Sequence, residues 1–387
     1  MKINRLQKAV VAPGLLGLAL CLQSYSLQAE NAYKQTNLVS DLPGWAVFTD
    51  PNLVNPWGLV ASPTSAWWVS DAGTGRSTLY NGGGVPQALV VSVPGPGGAV
   101  GAPTGQVFNG GTAFGSDRFI FATEDGTIDG WRGALGTTAE ILLDNSGSGS
   151  VYKGLAISSI GANSYLYASD FHNGRIQVLA STGAPTLSGT FLDPTMPAGY
   201  APFNIQNLGG TLYVTYAKQD SDAHDDVAGL GNGYVSAFDL SGNFLRRFAS
   251  NGPLDSPWGL AMAPASFGSF AGDLLVGNFG NGMINAFDPM TGAFLDSLRD
   301  ADGNSLAIDG LWGIAFGNGS GSGPLGTLYF TAGIAGPDAV EDHGLFGSIS
   351  AVPEPGTGLM GAALVGFCGV IWARRRKAKT TGAPVVV

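Results

Sequence analysis

The sequence predicts an all-β fold, a six-bladed β-propeller, and three observations carry that prediction. Of 387 residues, 61 are Gly and only 12% are charged. Short apolar runs alternate with Asn, Asp, Gly and Pro, the pattern of strands divided by tight turns. The second observation is a repeat. Three clear copies begin Asn55-Pro56-Trp57-Gly58-Leu59, Ser256-Pro257-Trp258-Gly259-Leu260 and Gly310-Leu311-Trp312-Gly313-Ile314. Weaker copies start at Ala102-Pro103-Thr104-Gly105, Tyr152-Lys153-Gly154-Leu155 and Ala201-Pro202-Phe203-Asn204-Ile205. The anchors 57, 104, 153, 203, 258 and 312 lie 47 to 55 residues apart, a period of blade length. The third observation is that each unit goes on to further strands.

The second strand of each unit is an apolar run, as in 66–70, 118–122, 164–168, 211–215, 273–277 and 327–331. A third follows a polar loop, as in 174–178 and 282–288, and a fourth is visible in 243–248 and 292–295. Four strands per unit describe a propeller blade. A single blade cannot cover both faces of its sheet, so neighbours must pack on it. Glycine after the anchor suits an innermost strand crowded near the axis. The ring has to be sealed, and a strand near Thr36-Asn37-Leu38-Val39 is expected to pair beside Gly347-Ser348-Ile349-Ser350, removing free sheet edges. A β-solenoid is the competing architecture, with a shorter usual repeat.

The ends read differently. Lys2, Arg5 and Lys8 precede an apolar run from Ala9 to Leu22 and then Leu27-Gln28-Ala29, the order of a secretory signal peptide. Near the other end, Val352-Pro353-Glu354-Pro355 precedes an uncharged run over 356–372, followed by Arg374-Arg375-Arg376-Lys377. Seventeen helical residues span about 26 Å, enough for a thin bilayer, and the basic cluster stays on the cytoplasmic side. The chain therefore divides into a signal peptide (1–29), a propeller (30–351), a processing and sorting segment (352–377, with a single transmembrane helix over 356–372) and a tail (378–387). Both cysteines, Cys21 and Cys368, fall in the end segments. The propeller thus has no disulfide, no cysteine nucleophile and no thiolate metal site.

Between residues 30 and 351 there are 27 Asp and Glu against 10 Lys and Arg, a formal charge of 10 − 27 = −17. Nucleic acid is excluded as a partner, because its binding is driven by phosphate neutralisation with Lys and Arg. Divalent cations are compatible.

Two resemblances rest on particular residues. Leu166-Tyr167-Ala168-Ser169-Asp170-Phe171-His172-Asn173-Gly174-Arg175-Ile176-Gln177-Val178 resembles the NHL-type propeller repeat, an Asp/Asn-rich loop followed by Arg-Ile and a strand. The match is partial in the fifth unit (277–284) and weak elsewhere. The C-terminal arrangement resembles the PEP-CTERM sorting signal, with Val352, Pro353, Glu354, Pro355, Arg374, Arg375 and Arg376 as the sorting residues. From about Asn37 onward the chain resembles an uncharacterised family of PEP-CTERM propeller proteins of Gram-negative bacteria. That resemblance implies an exosortase-type processing enzyme as partner and a transient inner-membrane tether facing the periplasm. Display at the cell surface or release follows processing, with exopolysaccharide or a surface protein as the eventual partner.

Two constellations are candidates for chemistry. Asp220, Asp222, His224 and Asp225 crowd the fourth long loop, and Asp338, Asp342 and His343 crowd the sixth, beside Glu341. Oxygen-rich clusters suit Ca²⁺ or another hard divalent cation, although the Gly and distal Glu of an EF-hand are missing. A solvated acidic surface is the competing reading. The second constellation is the set of positions before the small residue: Trp57, Lys153, Phe203, Trp258 and Trp312, together with Thr104. At one mouth of the channel they would stack on flat ligands, while inter-blade packing is the competing role. No Gly-x-Ser-x-Gly elbow, Walker loop or His-Glu-x-x-His motif occurs. The favoured function is therefore recognition of a ligand or partner. The competing functions are a metal-dependent propeller lactonase or lyase, with His172, His224 and His343 converging on a cation, and a purely structural extracellular protein.

Overall fold

Each of the six anchors sits at the start of an innermost strand in the computed structural model, which describes residues 31–336 and 341–353. Six separate sheets follow one another in chain order. Blade one is Pro56–Val60, Trp67–Asp71, Arg76–Tyr80 and Val91–Ser92. Blade two is Pro103–Phe108, Phe119–Thr123, Thr127–Trp131 and Glu140–Asp144. Blades four and five likewise have four antiparallel strands, led by Tyr200–Leu208 and Pro257–Met262. This is the expected six-bladed propeller, and the solenoid is excluded.

Ring closure takes the expected form. Tyr33–Ser40 pairs antiparallel with Leu345–Ala351, placing Thr36 opposite Ser348 and Asn37 opposite Gly347. The first strand of the domain is thus an outer strand of the last blade, beyond Leu311–Phe316 and Thr327–Ala332. A short strand, Phe48–Thr49, adds parallel to it outside.

One expectation fails in blade three. Its sheet has only Tyr152–Ile160, Asn163–Asp170 and Arg175–Ala180. The segment where a fourth strand was expected, 181–199, is instead irregular. It contains Pro185, Pro194 and Pro197, which cannot donate to a ladder. It is tied instead to the next blade, through the Gly189 and Phe191 amides donating to the carbonyls of Ser241 and Gly242.

The small residue after each anchor has a specific job. A Cβ on Gly313 would lie 2.6 Å from the Trp57 carbonyl oxygen, and one on Gly259 would lie 2.7 Å from that of Trp312. One on Gly154 would lie 2.8 Å from the Asn204 Cα, and those on Gly58 and Gly105 would strike Thr104 and Leu155 backbone. Each innermost strand therefore presses on the next around the ring, with Gly313 against blade one as the final contact. Blade four replaces Gly with Asn204, whose amide reaches the Trp258 carbonyl at 2.8 Å and makes the inter-blade contact by hydrogen bond.

The NHL-like segment is a structural lock. The Asp170 carboxylate is fully buried. It accepts from the Ser150 hydroxyl, the Asn173 amide and Arg175 Nε at 3.0 to 3.1 Å. The aspartate, asparagine and arginine of the signature thus close the turn between the second and third strands.

The segment expected to be a signal peptide (1–29), Glu354, Pro355, the apolar run over 356–372 and the basic cluster lie outside the described residues. Among the described residues no helix is long and apolar enough to cross a membrane.

Candidate functional site

The axis is occupied unequally along its length. At the end where the innermost strands begin, the anchor side chains converge and pack on one another. Trp57, Phe203, Trp258 and Trp312 are each no more than 4% exposed and form one cluster with Phe171. Trp57 and Trp312 stack with ring centroids 3.4 Å apart at 17°, and Phe279 stacks on the other side of Trp312 at 4.0 Å. Trp258 meets both indoles edge-on, at 6.1 and 5.8 Å. Each indole N–H is satisfied, to Asn55 Oδ1, the Lys153 carbonyl and Glu341 Oε1 respectively for Trp57, Trp258 and Trp312. Trp57, Phe203 and Trp312 fill this end of the axis and pack on one another, the inter-blade role, while Trp258 also borders the open part of the axis beyond them.

Lys153 caps this plug. It is 1% exposed, yet its ammonium is bonded to Glu124 of blade two and lies 3.2 Å from Asp225 Oδ1 of blade four. The ammonium also sits 5.1 Å from the Trp57 ring and 5.9 Å from that of Phe171, a cation–π arrangement. Despite burial, the charged form of Lys153 is favoured by Glu124 and then Asp225. Nearby, burial pushes the Glu341 carboxyl up to about 7, with Glu124 adding to the rise and Lys153 opposing it. Burial likewise raises Asp226 to about 6.

The predicted cation ligands are only partly brought together. His224 Nδ1 and Asp225 Oδ1 lie 2.9 Å apart and, with Glu124, form the single metal-ligand-sized group among the described residues. Asp220 and Asp222 belong to the exposed turn before them, where Asp220 accepts from the His224 amide. His343 is engaged elsewhere, 2.6 Å from Asp41 Oδ2. Asp342 lies beside Gly336 and His343, and Asp338 lies outside the described residues. Neither His172 nor His343 joins His224, so the three histidines do not converge. The space between Glu124 and Asp225 is held by the ammonium of Lys153.

Glu124 was not singled out from the sequence, although a signal existed. It follows blade two's second strand at Thr123-Glu124-Asp125-Gly126, the loop equivalent to the Asp170–Gly174 segment of blade three.

Beyond the plug the axis opens. A cavity of about 450 Å³ runs from Trp258 toward the loops at Ser62–Pro63 and Asn318. Its apolar wall includes Leu59, Leu155, Ile157, Ile205, Leu260 and Ile314. The polar residues along its wall are Ser62, Gln106, Asn204, Gln206, Asn207 and Asn318. Among the described residues no ionisable side chain lines it. Sequence reasoning missed this chamber because, Trp258 apart, its residues carry no recognisable functional motif; only closure of the ring makes them neighbours.

No family model matches the chain. An uncharacterised protein of Acanthamoeba polyphaga mimivirus is 34% identical over 305 residues, 74% of each chain. A second uncharacterised protein of that virus is 33% identical over 308 residues, covering 74% of this chain and 80% of its own. The chain belongs to their family. Among solved structures, a glucose dehydrogenase aligns over 83% of this chain and 100% of its own, with a TM-score of 0.51 and 14% identity. Virginiamycin B lyase from Staphylococcus aureus aligns over the same shares at 14% identity and a TM-score of 0.44. At these identities the glucose dehydrogenase likeness shows the fold alone.

Proposed function

We propose that this protein is an exported, ligand-binding propeller whose axial cavity recognises a molecule without transforming it. One observation carries the reading: the cavity of about 450 Å³ has no ionisable side chain among the described residues of its wall. Its volume falls within the range of small-molecule sites. General acid–base work needs a titrating group within reach, and nucleophilic catalysis needs an activated one; this wall offers neither. Export is supported by the N-terminal signal pattern and the Pro353-Glu354-Pro355 arrangement, with an exosortase-type enzyme as processing partner. The ligand would then be met at the cell surface or in its surrounding exopolysaccharide. Ligand-observed NMR with a mixed panel of charged and uncharged small molecules tests this. Uncharged binders recovered unchanged support it; consumption of a bound compound, or a panel of binders that are all charged, sinks it.

A second reading is favoured by Glu341. A carboxyl pushed up to about 7, in the field of Lys153, Glu124 and Asp225, is poised for proton transfer near neutral pH. It supports a site for hydrolase or lyase chemistry on the Lys153 face, at the opposite end of the axis. Hydrolysis of a lactone panel that is abolished by Glu341→Gln would establish it; unchanged hydrolysis in that variant would remove Glu341 from the chemistry.

A further inference from the structure

The polar groups of the axial cavity are not equivalent, and their differences describe a ligand. Asn204, Asn207 and Asn318 are committed to the protein. The Asn204 amide donates to the Trp258 carbonyl, that of Asn207 to Ile157, and that of Asn318 to Ser62 and Ser65. Their side-chain oxygens accept backbone amides of Ile205, Gly210, Ser320 and Ser322. Two glutamines differ. Gln106 is 7% exposed, and its Nε2 is held by the carbonyls of Gly58 at 2.8 Å and Trp68 at 2.5 Å. Two carbonyl partners fix the amide orientation, and its Oε1 is left buried without a partner. Gln206 lines the same chamber half-buried, and its side chain makes no hydrogen bond among the described residues. The Gln106 oxygen is sealed from the chamber, so the Gln206 side-chain carbonyl is the one free to accept from a bound donor. The rest of the wall is aliphatic, and transferring a charged group into it without a counter-charge is strongly unfavourable.

We infer that the cavity takes a small uncharged molecule with an apolar body and a hydroxyl or N–H donor, read by the amide of Gln206 and entering from the face opposite Lys153. This rests on the cavity being the binding site. It adds to that reading the ligand's apolar body, its donor and its end of entry. Neither Glu124, Lys153 nor His224 takes part.

The test is calorimetric titration of the full chain at neutral pH with three matched probes. These are 2-naphthol (uncharged, with a donor), 2-methoxynaphthalene (uncharged, without a donor) and 2-naphthoate (anionic). 2-Naphthol should bind, 2-methoxynaphthalene should bind about tenfold more weakly for loss of one hydrogen bond, and 2-naphthoate should give no measurable binding. Gln206→Leu, which breaks no internal hydrogen bond, should shrink the difference between the two neutral probes. Ile157→Trp should fill the chamber and remove binding; if that variant fails to fold, Val60→Trp fills it from another wall. Equal affinity for the two neutral probes overturns the donor assignment and leaves the cavity reading standing. Binding of 2-naphthoate as tight as 2-naphthol, or no binding of either neutral probe, overturns the ligand class. Probe binding that persists in both folded tryptophan variants overturns the cavity as the site.

Discussion

The indole of Trp57, from the first blade, lies 3.4 Å centroid to centroid from that of Trp312, from the last. The stack spans the seam where the ring closes, so the two ends of the domain are joined at the axis as well as at the rim. Trp312→Ala removes a fully buried ring that also contacts Phe203, Trp258 and Phe279. A large-to-small change in such a core costs about 3–5 kcal/mol. Urea unfolding should show that loss; a cost under about 1 kcal/mol would mean the plug is not structural.

Lys153 supplies the cation that its acidic neighbours need. Lys153→Met keeps the stem under Trp57 and removes the charge. The loss should be about 2 kcal/mol, below the ~3–5 of a fully enclosed pair because Glu124 and Asp225 are partly in water. With the ammonium gone, Glu124, His224 and Asp225 should gain affinity for Ca²⁺, seen as thermal stabilisation that the unaltered protein does not match. Equal calcium response in both proteins would contradict the assignment of Lys153 as the resident cation.

Glu341 gives the stability a pH signature. Its folded value, about 7, lies above the ordinary 4.5, so the folded state holds a proton that the unfolded chain releases. Stability then falls as pH rises from about 4.5 to about 7. Asp226, raised to about 6, and Asp129, raised to about 8 by burial, act in the same direction. Glu341→Gln should flatten part of this decline. A variant whose urea midpoint falls as steeply as the parent's would place the titration elsewhere.

The crowding between innermost strands is testable by a single methyl group. Gly313→Ala puts a Cβ 2.6 Å from backbone of blade one, and overpacking there should cost about 1–3 kcal/mol. Gly133→Ala, with nothing within 4 Å, is the matched control and should change stability by less than about 0.5 kcal/mol. Equal midpoints for the two variants would deny the close approach at the seam.

Much of the architecture was legible because it repeats. The Trp-Gly anchors at 57, 258 and 312 announced innermost strands, and the degenerate copies at 104, 153 and 203 became readable only through the period. The seam at Thr36 to Val39 followed from topology, since a ring must close. Blade three misled because prolines in 181–199 replace a strand whose existence the repeat implied. The sites were harder to read. Lys153 looked like one anchor among six, and its pairing with Glu124 and Asp225 depends on loops roughly 30 and 70 residues away in sequence. Residue type alone suggested aromatic ligand stacking at Trp57 and Trp258, but at the axis of a small ring aromatic faces find each other first. The cavity is invisible in sequence because Gln206 and Ile157 carry no motif.

The most direct measurement is methyl NMR of the full chain during titration with 2-naphthol. Binding in the axial cavity predicts saturable shifts at Leu59, Leu155, Ile157 and Ile205, with the His224 ring resonances unmoved. Shifts at His224 with those four methyls still would place the ligand on the Lys153 face and contradict the account.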